Sequence, residues 1–244
     1  MQHISLKGRV RAVPWSASLW VVCAILLLAP VAGAAPIIAW DILGSDGQTA
    51  SALSLDPDVS GTDLTPVNVT PWPGGYCCFT AAAGWETSAA GPDLTKYYEF
   101  SVTAAATHSI VYQEIALSLF RGIQGTDHGA ELWQLRASYD GYASTLAFFD
   151  ISSSAADQQI LFSNVDISAV GTQSGTVTFR LYGYDYTAPG DYSGFGNHPG
   201  PTPLTGTGTN LTVGGQLAPE PVTLAQLGLG LAMLAFVGRK RSAR

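Results

Sequence analysis

Three stretches of this chain alternate apolar and polar side chains with a period of two. They cover residues 98–102, 130–140 and 176–184. In the last of them Val177 points to one side and Arg180 to the other, as residues separated by an odd number of positions do in a strand. Strands of this kind bury one face and leave the other in water, which is typical of antiparallel sheets. The alternation therefore predicts an all-β fold.

Shorter runs between turn residues predict further strands. These runs are residues 37–43, 50–55, 64–69, 109–120, 146–151, 159–162 and 210–213. The run 109–120 is long and mixed in polarity, so we expect it to cross the middle of a sheet. We expect residues 188–208, rich in Gly and Pro, to form an irregular loop, and residues 153–157 to make a short helical turn. About ten short strands separated by turns predict a single antiparallel β-sandwich.

Residues 1–34 are predicted to be a secretory signal peptide. Cations without acids are followed by an apolar run at 19–28, and then by the small residues Ala32-Gly33-Ala34. This order is typical of a signal peptide, and the apolar run is too short for a comfortable membrane span. We place the cleavage after Ala34, with Ala32 and Ala34 as its small residues.

Residues 219–244 contain three physically different parts. The tripeptide Pro219-Glu220-Pro221 is rigid, and its prolines cannot extend a helix backwards. The apolar segment 222–238 has 16 uncharged residues up to Val237, and at about 1.5 Å per residue they form a marginal transmembrane helix against a hydrocarbon core of roughly 30 Å. A basic tail follows and is expected to stay on the cytoplasmic side, so the bulk of the chain faces outward. Its cations are Arg239, Lys240, Arg241 and Arg244.

This tripeptide, apolar segment and basic tail, in this order, closely resemble the C-terminal signal of bacterial PEP-CTERM proteins. The resemblance implies that an exosortase recognises and cuts the tripeptide Pro219-Glu220-Pro221. The segments FRLYGYDY and TGTNLTVGG also resemble the closing strands of jelly-roll or lectin-like ectodomains with this signal. The resemblance thus implies a jelly-roll-like domain over residues 35–218, anchored in the inner membrane before processing and then placed in the cell envelope, on the surface or in the extracellular matrix.

The predicted domain 35–218 is strongly acidic. It holds four cations against 17 acids, a formal charge of −13. This charge argues against nucleic acid as a partner, because phosphate binding needs basic clusters. The four cations are Lys96, Arg121, Arg136 and Arg180. The domain's two cysteines, Cys77 and Cys78, are adjacent, so a bond between them would provide little loop constraint.

An acidic segment near the start of the domain is the candidate metal site. Asp56, Asp58 and Asp63 lie within eight residues, with Gly61 between them. Calcium takes carboxylate and carbonyl oxygens from loops, so these three residues are the predicted ligands. The alternative is that they are solvated turn aspartates. Sequence motifs for zinc are absent, and no other cofactor is expected.

Aromatic side chains in or near loops are candidates for stacking on sugar rings. They are Trp72, Trp85, Tyr142, Tyr186, Tyr192 and Phe195. Of these, Trp72, Trp85, Tyr142 and Tyr192 are the principal candidates, and extracellular polysaccharide is the corresponding partner. The alternative is packing in the core or at its rim.

We predict a non-enzymatic binding or structural module. No nucleophile motif such as G-x-S-x-G accompanies the domain's histidines. The rival interpretation is a carbohydrate-active hydrolase that uses two acids across a cleft, with candidates among Glu99, Glu114 and Glu131.

Overall fold

The computed structural model describes residues 34–42, 45, 47–73, 79–124, 127–153, 159–187, 191–196 and 211–220. These residues contain sixteen strands and two 3₁₀ turns, and no α-helix occurs among them. The strands are β1 (Ala35–Trp40), β2 (Ala52–Ser54), β3 (Val59–Val67), β4 (Thr70–Pro71), β5 (Phe79–Ala83), β6 (Tyr97–Ala104), β7 (His108–Arg121), β8 (Ile123–Gln124), β9 (Asp127–His128), β10 (Leu132–Ala137), β11 (Ala147–Asp150), β12 (Ile160–Asp166), β13 (Thr172–Ser174), β14 (Thr176–Tyr184), β15 (Ser193–Gly196) and β16 (Leu211–Pro219). The 3₁₀ turns are Ser138–Asp140 and Ser168–Val170. The prediction of an all-β fold is confirmed.

The strands form two large antiparallel sheets. One has nine strands, with the path β2-β1-β16-β7-β15-β5-β4 and with β12 and β13 also paired to β7. The other has five strands in the order β11-β10-β14-β6-β3. A separate hairpin joins β8 and β9. Strand β7 pairs with four others in the nine-stranded sheet, so the predicted central position of the segment 109–120 is confirmed.

The two large sheets pack on a shared aromatic core. The Trp40 ring from β1 lies 4.7 Å from the Phe100 ring of β6, and Tyr112 of β7 lies 5.7 Å from Phe179 of β14. Each pair joins one sheet to the other. Rings that meet edge to face in this way add to the free energy of burial. The arrangement is consistent with the predicted β-sandwich.

Burial follows the predicted alternation in β10 and in the first part of β14, whereas the four residues 181–184 at the end of β14 are all buried. In β14, Val177 and Phe179 are buried while Arg180 between the inward positions is only half-buried. In β10, Trp133 and Leu135 are buried and the residues between them are not. The inward side chains fill the core, and the outward ones form the surface of the five-stranded sheet.

The structure corrects the predicted loop 188–208. Ser193–Gly196 lies inside it and forms β15, which inserts between β7 and β5. Ser193 and Phe195 are buried there. The sequence of β15 is rich in Gly and does not alternate apolar with polar residues, so the period of two does not reveal it. Its backbone nevertheless completes the sheet.

The two ends of the described domain also differ from the prediction. The strand predicted over 130–140 ends at Ala137, and Ser138–Asp140 is a 3₁₀ turn. The closing strand β16 runs to Pro219, one residue past the predicted boundary at 218. The second 3₁₀ turn, Ser168–Val170, was not predicted.

Several predicted features lie outside the described residues. They are Ala32 of the signal peptide, Cys77, Cys78, Pro221, the apolar segment 222–238 and the cations Arg239, Lys240, Arg241 and Arg244. Of the predicted helical turn 153–157, only Ser153 is described. Within the described part of the chain, no helix has the length and apolar character needed to cross a bilayer.

Candidate functional site on the outer face of the five-stranded sheet

Three neighbouring strands bring charged and aromatic side chains together on the outer face of the five-stranded sheet. Strand β14 lies between β6 and β10, and its Arg180 is opposite Glu99 on one side and Arg136 on the other. We call this surface the tyrosine–arginine face. It consists of Tyr97, Glu99, Arg136, Tyr142, Arg180 and Tyr182.

The guanidinium of Arg180 lies between two tyrosine rings. Its central carbon is 4.0 Å from the ring centroid of Tyr142 and 4.2 Å from that of Tyr97. Both distances are well within the range of cation–π attraction. Arg180 Nε also donates to Glu99 Oε2 at 2.8 Å. These contacts fix a long side chain that is still 26 % exposed, which lowers the entropic cost of using it to bind a ligand.

Tyr142 reaches this position through an unusual backbone conformation. It follows the turn Ser138–Asp140 and has a φ of 64°, a left-handed conformation that is rare for a bulky side chain. Its N–H donates to Ala137 O at 3.1 Å, and its carbonyl accepts from Arg136 Nη1 at 3.1 Å. Such strain persists only where neighbouring contacts hold it, and it is enriched at binding sites.

Arg136 connects the face to a polar network on β10. Its Nη2 donates to Gln134 Oε1 at 3.0 Å, and Gln134 Nε2 donates to the Tyr184 hydroxyl at 3.1 Å. Arg136 and Arg180 are directly opposite each other in the sheet. Like charges in that position are destabilising, so the pairing needs an explanation other than stability.

Tyr182 forms the floor of the face. Its ring centroid lies 5.5 Å from that of Tyr97 and 5.7 Å from the Arg136 guanidinium carbon, and the residue is 1 % exposed. Burial raises the pKa of Tyr182, although Arg180 and Arg136 oppose the effect. The phenol is therefore neutral at physiological pH.

The predicted sugar-stacking residues do not form one site. Trp85 is 1 % exposed, donates from Nε1 to Ala82 O at 2.7 Å, and packs its ring 5.0 Å from that of Trp133. Phe195 and Tyr186 are also buried. These three side chains are core residues. Removing their large apolar surfaces from water stabilises the fold, and an exposed loop position would not do so.

Trp72 and Tyr192 come together on the opposite side of the domain. Their ring centroids are 4.5 Å apart, and both pack on Phe120 and Ala81 in a small cluster separate from the main core. Since Leu119 and Ala82, the chain neighbours of Phe120 and Ala81, belong to the main core, the cluster covers the outer face of the nine-stranded sheet. Of the four principal candidates, only Tyr142 lies on the tyrosine–arginine face.

The three candidate catalytic carboxylates are separated. Glu99 is on the outer face of the five-stranded sheet, bonded to Arg180. Glu114 is opposite Gly214 in the nine-stranded sheet and points outward, because its neighbour Ile115 is in the core. Glu131 forms a buried ion pair with Arg121. Glu99 and Glu114 thus face away from each other on the two sheets.

Of the three predicted calcium ligands, Asp56 and Asp58 contact each other, and Asp63 contacts Ala52. Asp56 Oδ1 accepts from Asp58 N at 3.0 Å, and Asp63 Oδ1 accepts from Ala52 N at 3.1 Å. The described residues contain no group of three or more His, Cys, Asp or Glu side chains placed to hold a metal ion. Calcium binding stays a prediction, and a melting temperature that is equal in calcium and in chelator would contradict it.

The start of the predicted sorting tripeptide lies at the end of β16. Pro219 is exposed and is opposite His108 of β7. Glu220 is half-buried, and its N–H donates to Thr107 O at 3.0 Å. The tripeptide therefore begins at the last hydrogen bonds of the sheet. Ala34 lies next to the first residue of β1.

Sequence reasoning assigned no binding role to Tyr97, Arg136, Arg180 or Tyr182. The available signal was the outward position of Glu99, Arg136 and Arg180 in three alternating strands. The sequence does not show the strand order that brings these residues together, since Arg180 and Glu99 are 81 residues apart.

The chain matches no protein-family model, no curated protein and no solved structure.

Proposed function

We propose that this chain is an exported bacterial surface or extracellular-matrix protein whose domain is a non-catalytic, saccharide-binding β-sandwich of jelly-roll-like topology. The observation that carries the proposal is the position of Arg180 between the rings of Tyr97 and Tyr142. Saccharide sites combine aromatic surfaces with a few fixed polar groups. The tyrosine–arginine face has both, held in place by contacts within the protein.

The charges of the site favour binding over catalysis. General acid–base work on a glycosidic bond needs one carboxyl group that retains its proton beside one that is ionised. Glu99 and Glu131 are instead each paired with an arginine. These two acids therefore serve as structural partners of Arg180 and Arg121.

Replacing Tyr142 with Ala is expected to weaken binding at least tenfold to polysaccharide prepared from the surface of the producing cells. The change removes one of the two rings that hold Arg180 and a ring available at the rim of the site. Affinity electrophoresis of purified protein measures the effect. The matched control is Tyr192→Ala, which removes a tyrosine from the outer face of the other sheet and should leave binding unchanged.

Two results would count against this site. If Tyr192→Ala weakens binding and Tyr142→Ala does not, the saccharide site lies on the nine-stranded sheet. If the parent protein binds no such polysaccharide, the saccharide-binding function itself is rejected.

The tail supplies the proposed route to the surface. A signal peptide at 1–34 delivers the domain across the inner membrane, and a transmembrane helix at 222–238 holds it there with the basic tail inside. An exosortase-type enzyme then acts at Pro219-Glu220-Pro221 and releases or transfers the domain to the envelope or matrix. The exposure of Pro219 at the end of β16 supports access to this segment.

Replacing Pro219-Glu220-Pro221 with three alanines is expected to leave an uncut protein in the membrane fraction of a host with an exosortase. The reason is that the enzyme loses the motif at which it is proposed to act. Immunoblots of membrane and released fractions measure processing. The Pro-x-Pro triplet at residues 201–203, changed to alanines in the same way, is the control and should be processed normally. Equal processing of both variants would rule out this role for the tripeptide.

A further inference from the structure

We propose that the tyrosine–arginine face binds saccharides that carry a carboxylate, namely uronic acid units, and that Arg136 receives the carboxylate. The inference rests on the proposed saccharide-binding function and names the chemical class of its ligand.

The charges of the face favour an anionic ligand. Two of the four cations in a domain of charge −13 are directly opposite each other on this face. Glu99 compensates Arg180. Among the described residues, no acidic oxygen lies within 4.0 Å of the Arg136 guanidinium. The face therefore has one positive charge without a close counter-charge, which favours an anionic ligand at that point.

The hydrogen bonds of Arg136 also favour a carboxylate ligand. Arg136 donates to two neutral oxygens, Tyr142 O and Gln134 Oε1. Its Nε is buried and has no hydrogen-bond partner among the described residues. A buried donor without an acceptor destabilises a protein and needs an explanation. A carboxylate that reached this donor would supply both the missing acceptor and the missing charge.

The groups around Arg136 suit a sugar that carries a carboxylate. The planar guanidinium matches a carboxylate through two parallel hydrogen bonds. Next to it, Gln134 Oε1 also accepts from the exposed Thr145 hydroxyl at 3.1 Å, and these two groups can exchange hydrogen bonds with sugar hydroxyls. The Tyr142 ring lies 4.0 Å from the guanidinium carbon of Arg180, the residue opposite Arg136 in the sheet. A uronate uses all of these groups, whereas a small inorganic anion uses only the arginine.

The test uses purified full-length protein and two matched ligands, polygalacturonate and its methyl ester. They share one backbone, and only the first carries charge. We expect the parent protein to bind polygalacturonate at least tenfold more tightly than the ester, with the preference falling as salt rises. Arg136→Gln should remove the preference and retain ester binding, which also shows that the variant is folded. Lys96→Gln, which makes the same change in net charge at a lysine near Asp93, should retain the preference.

Each other outcome overturns part of the account. Equal binding of acid and ester by the parent, lost in Tyr142→Ala, rejects the uronate inference and leaves the proposed function standing. A preference that survives Arg136→Gln also rejects the inference. Binding of poly-glutamate as tight as that of polygalacturonate assigns the face to acidic peptides instead. Absence of binding to either polysaccharide and to the polysaccharide of the producing cells rejects both proposals.

Discussion

Glu131→Gln is expected to lower the free energy of unfolding by about 3–5 kcal/mol, the usual cost of removing one partner from a buried ion pair. Arg121 and Glu131 are 7 % and 9 % exposed and form an ion pair. Arg121 Nη2 also donates to Ser152 O at 2.6 Å, and His128 Nδ1 lies 3.3 Å from Glu131 Oε1. The substitution removes the carboxylate that is paired with this buried guanidinium, and Asp150 is then the acid that still attracts it. The loss corresponds to a melting temperature lower by roughly 10 °C for a domain of this size.

The control for this prediction is the same substitution at the more exposed pair. Glu99 and Arg180 have side chains that are 34 % and 26 % exposed, and pairs in contact with water contribute about 1 kcal/mol or less. Glu99→Gln should therefore change stability little. Denaturant unfolding of both variants measures the difference. Equal losses in the free energy of unfolding would show that the buried Arg121–Glu131 pair stabilises the domain no more than the exposed pair.

Gly194→Ala is expected to destabilise the domain by about 3 kcal/mol, at the upper end of typical overpacking costs. Gly194 lies in β15, between β7 and β5. A Cβ at this position would lie 2.1 Å from Thr80 O and 2.6 Å from the Tyr98 hydroxyl. The first contact is with backbone, which cannot move aside without opening the sheet.

Gly175→Ala is the matched control for this change. Gly175 has a φ of 80°, and a Cβ there meets no heavy atom within 4 Å. Its replacement introduces only the strain of a left-handed alanine, roughly 1–2 kcal/mol. If Gly194→Ala costs no more than Gly175→Ala in denaturant unfolding, β15 is not packed between its two neighbours.

The strands with clear alternation could be predicted from the sequence. In β6, β10 and β14 the inward positions are occupied by large apolar residues, so the burial of Phe100, Trp133 and Phe179 followed directly from the period of two. The central position of β7 followed from its length. Alternation and strand length are local properties, so the sequence alone shows them.

The short Gly- and Ala-rich strands could not be predicted in the same way. Phe79–Ala83 and Ser193–Gly196 have few large side chains, and their small residues let the strands and the Tyr98 hydroxyl approach closely. Tyr98 donates from its hydroxyl toward Thr80 O and Ser193 O at 3.3 and 3.2 Å. Such packing depends on partners that are distant in sequence.

The candidate site was predictable only in its parts. The alternation of the three strands puts Glu99, Arg136 and Arg180 on their polar sides, and Tyr142 is among the predicted stacking residues. Their assembly required the order β10-β14-β6 and the register that places Arg180 opposite both neighbours. The prediction for Trp85 was wrong for a related reason. An aromatic residue near a loop packs inward when the core has room for it, and the sequence alone does not show that room.

The side-chain N–H resonances of arginine and tryptophan test the binding face most directly. Arg136 and Arg180 report on the outer face of the five-stranded sheet, and the Trp72 indole reports on the outer face of the nine-stranded sheet. On titration with oligosaccharide from the producing cells, we expect the Nε–H signals of Arg136 and Arg180 to shift while the Trp72 signal stays unchanged. A shift of Trp72 with both arginine signals unchanged would contradict a saccharide site on the tyrosine–arginine face.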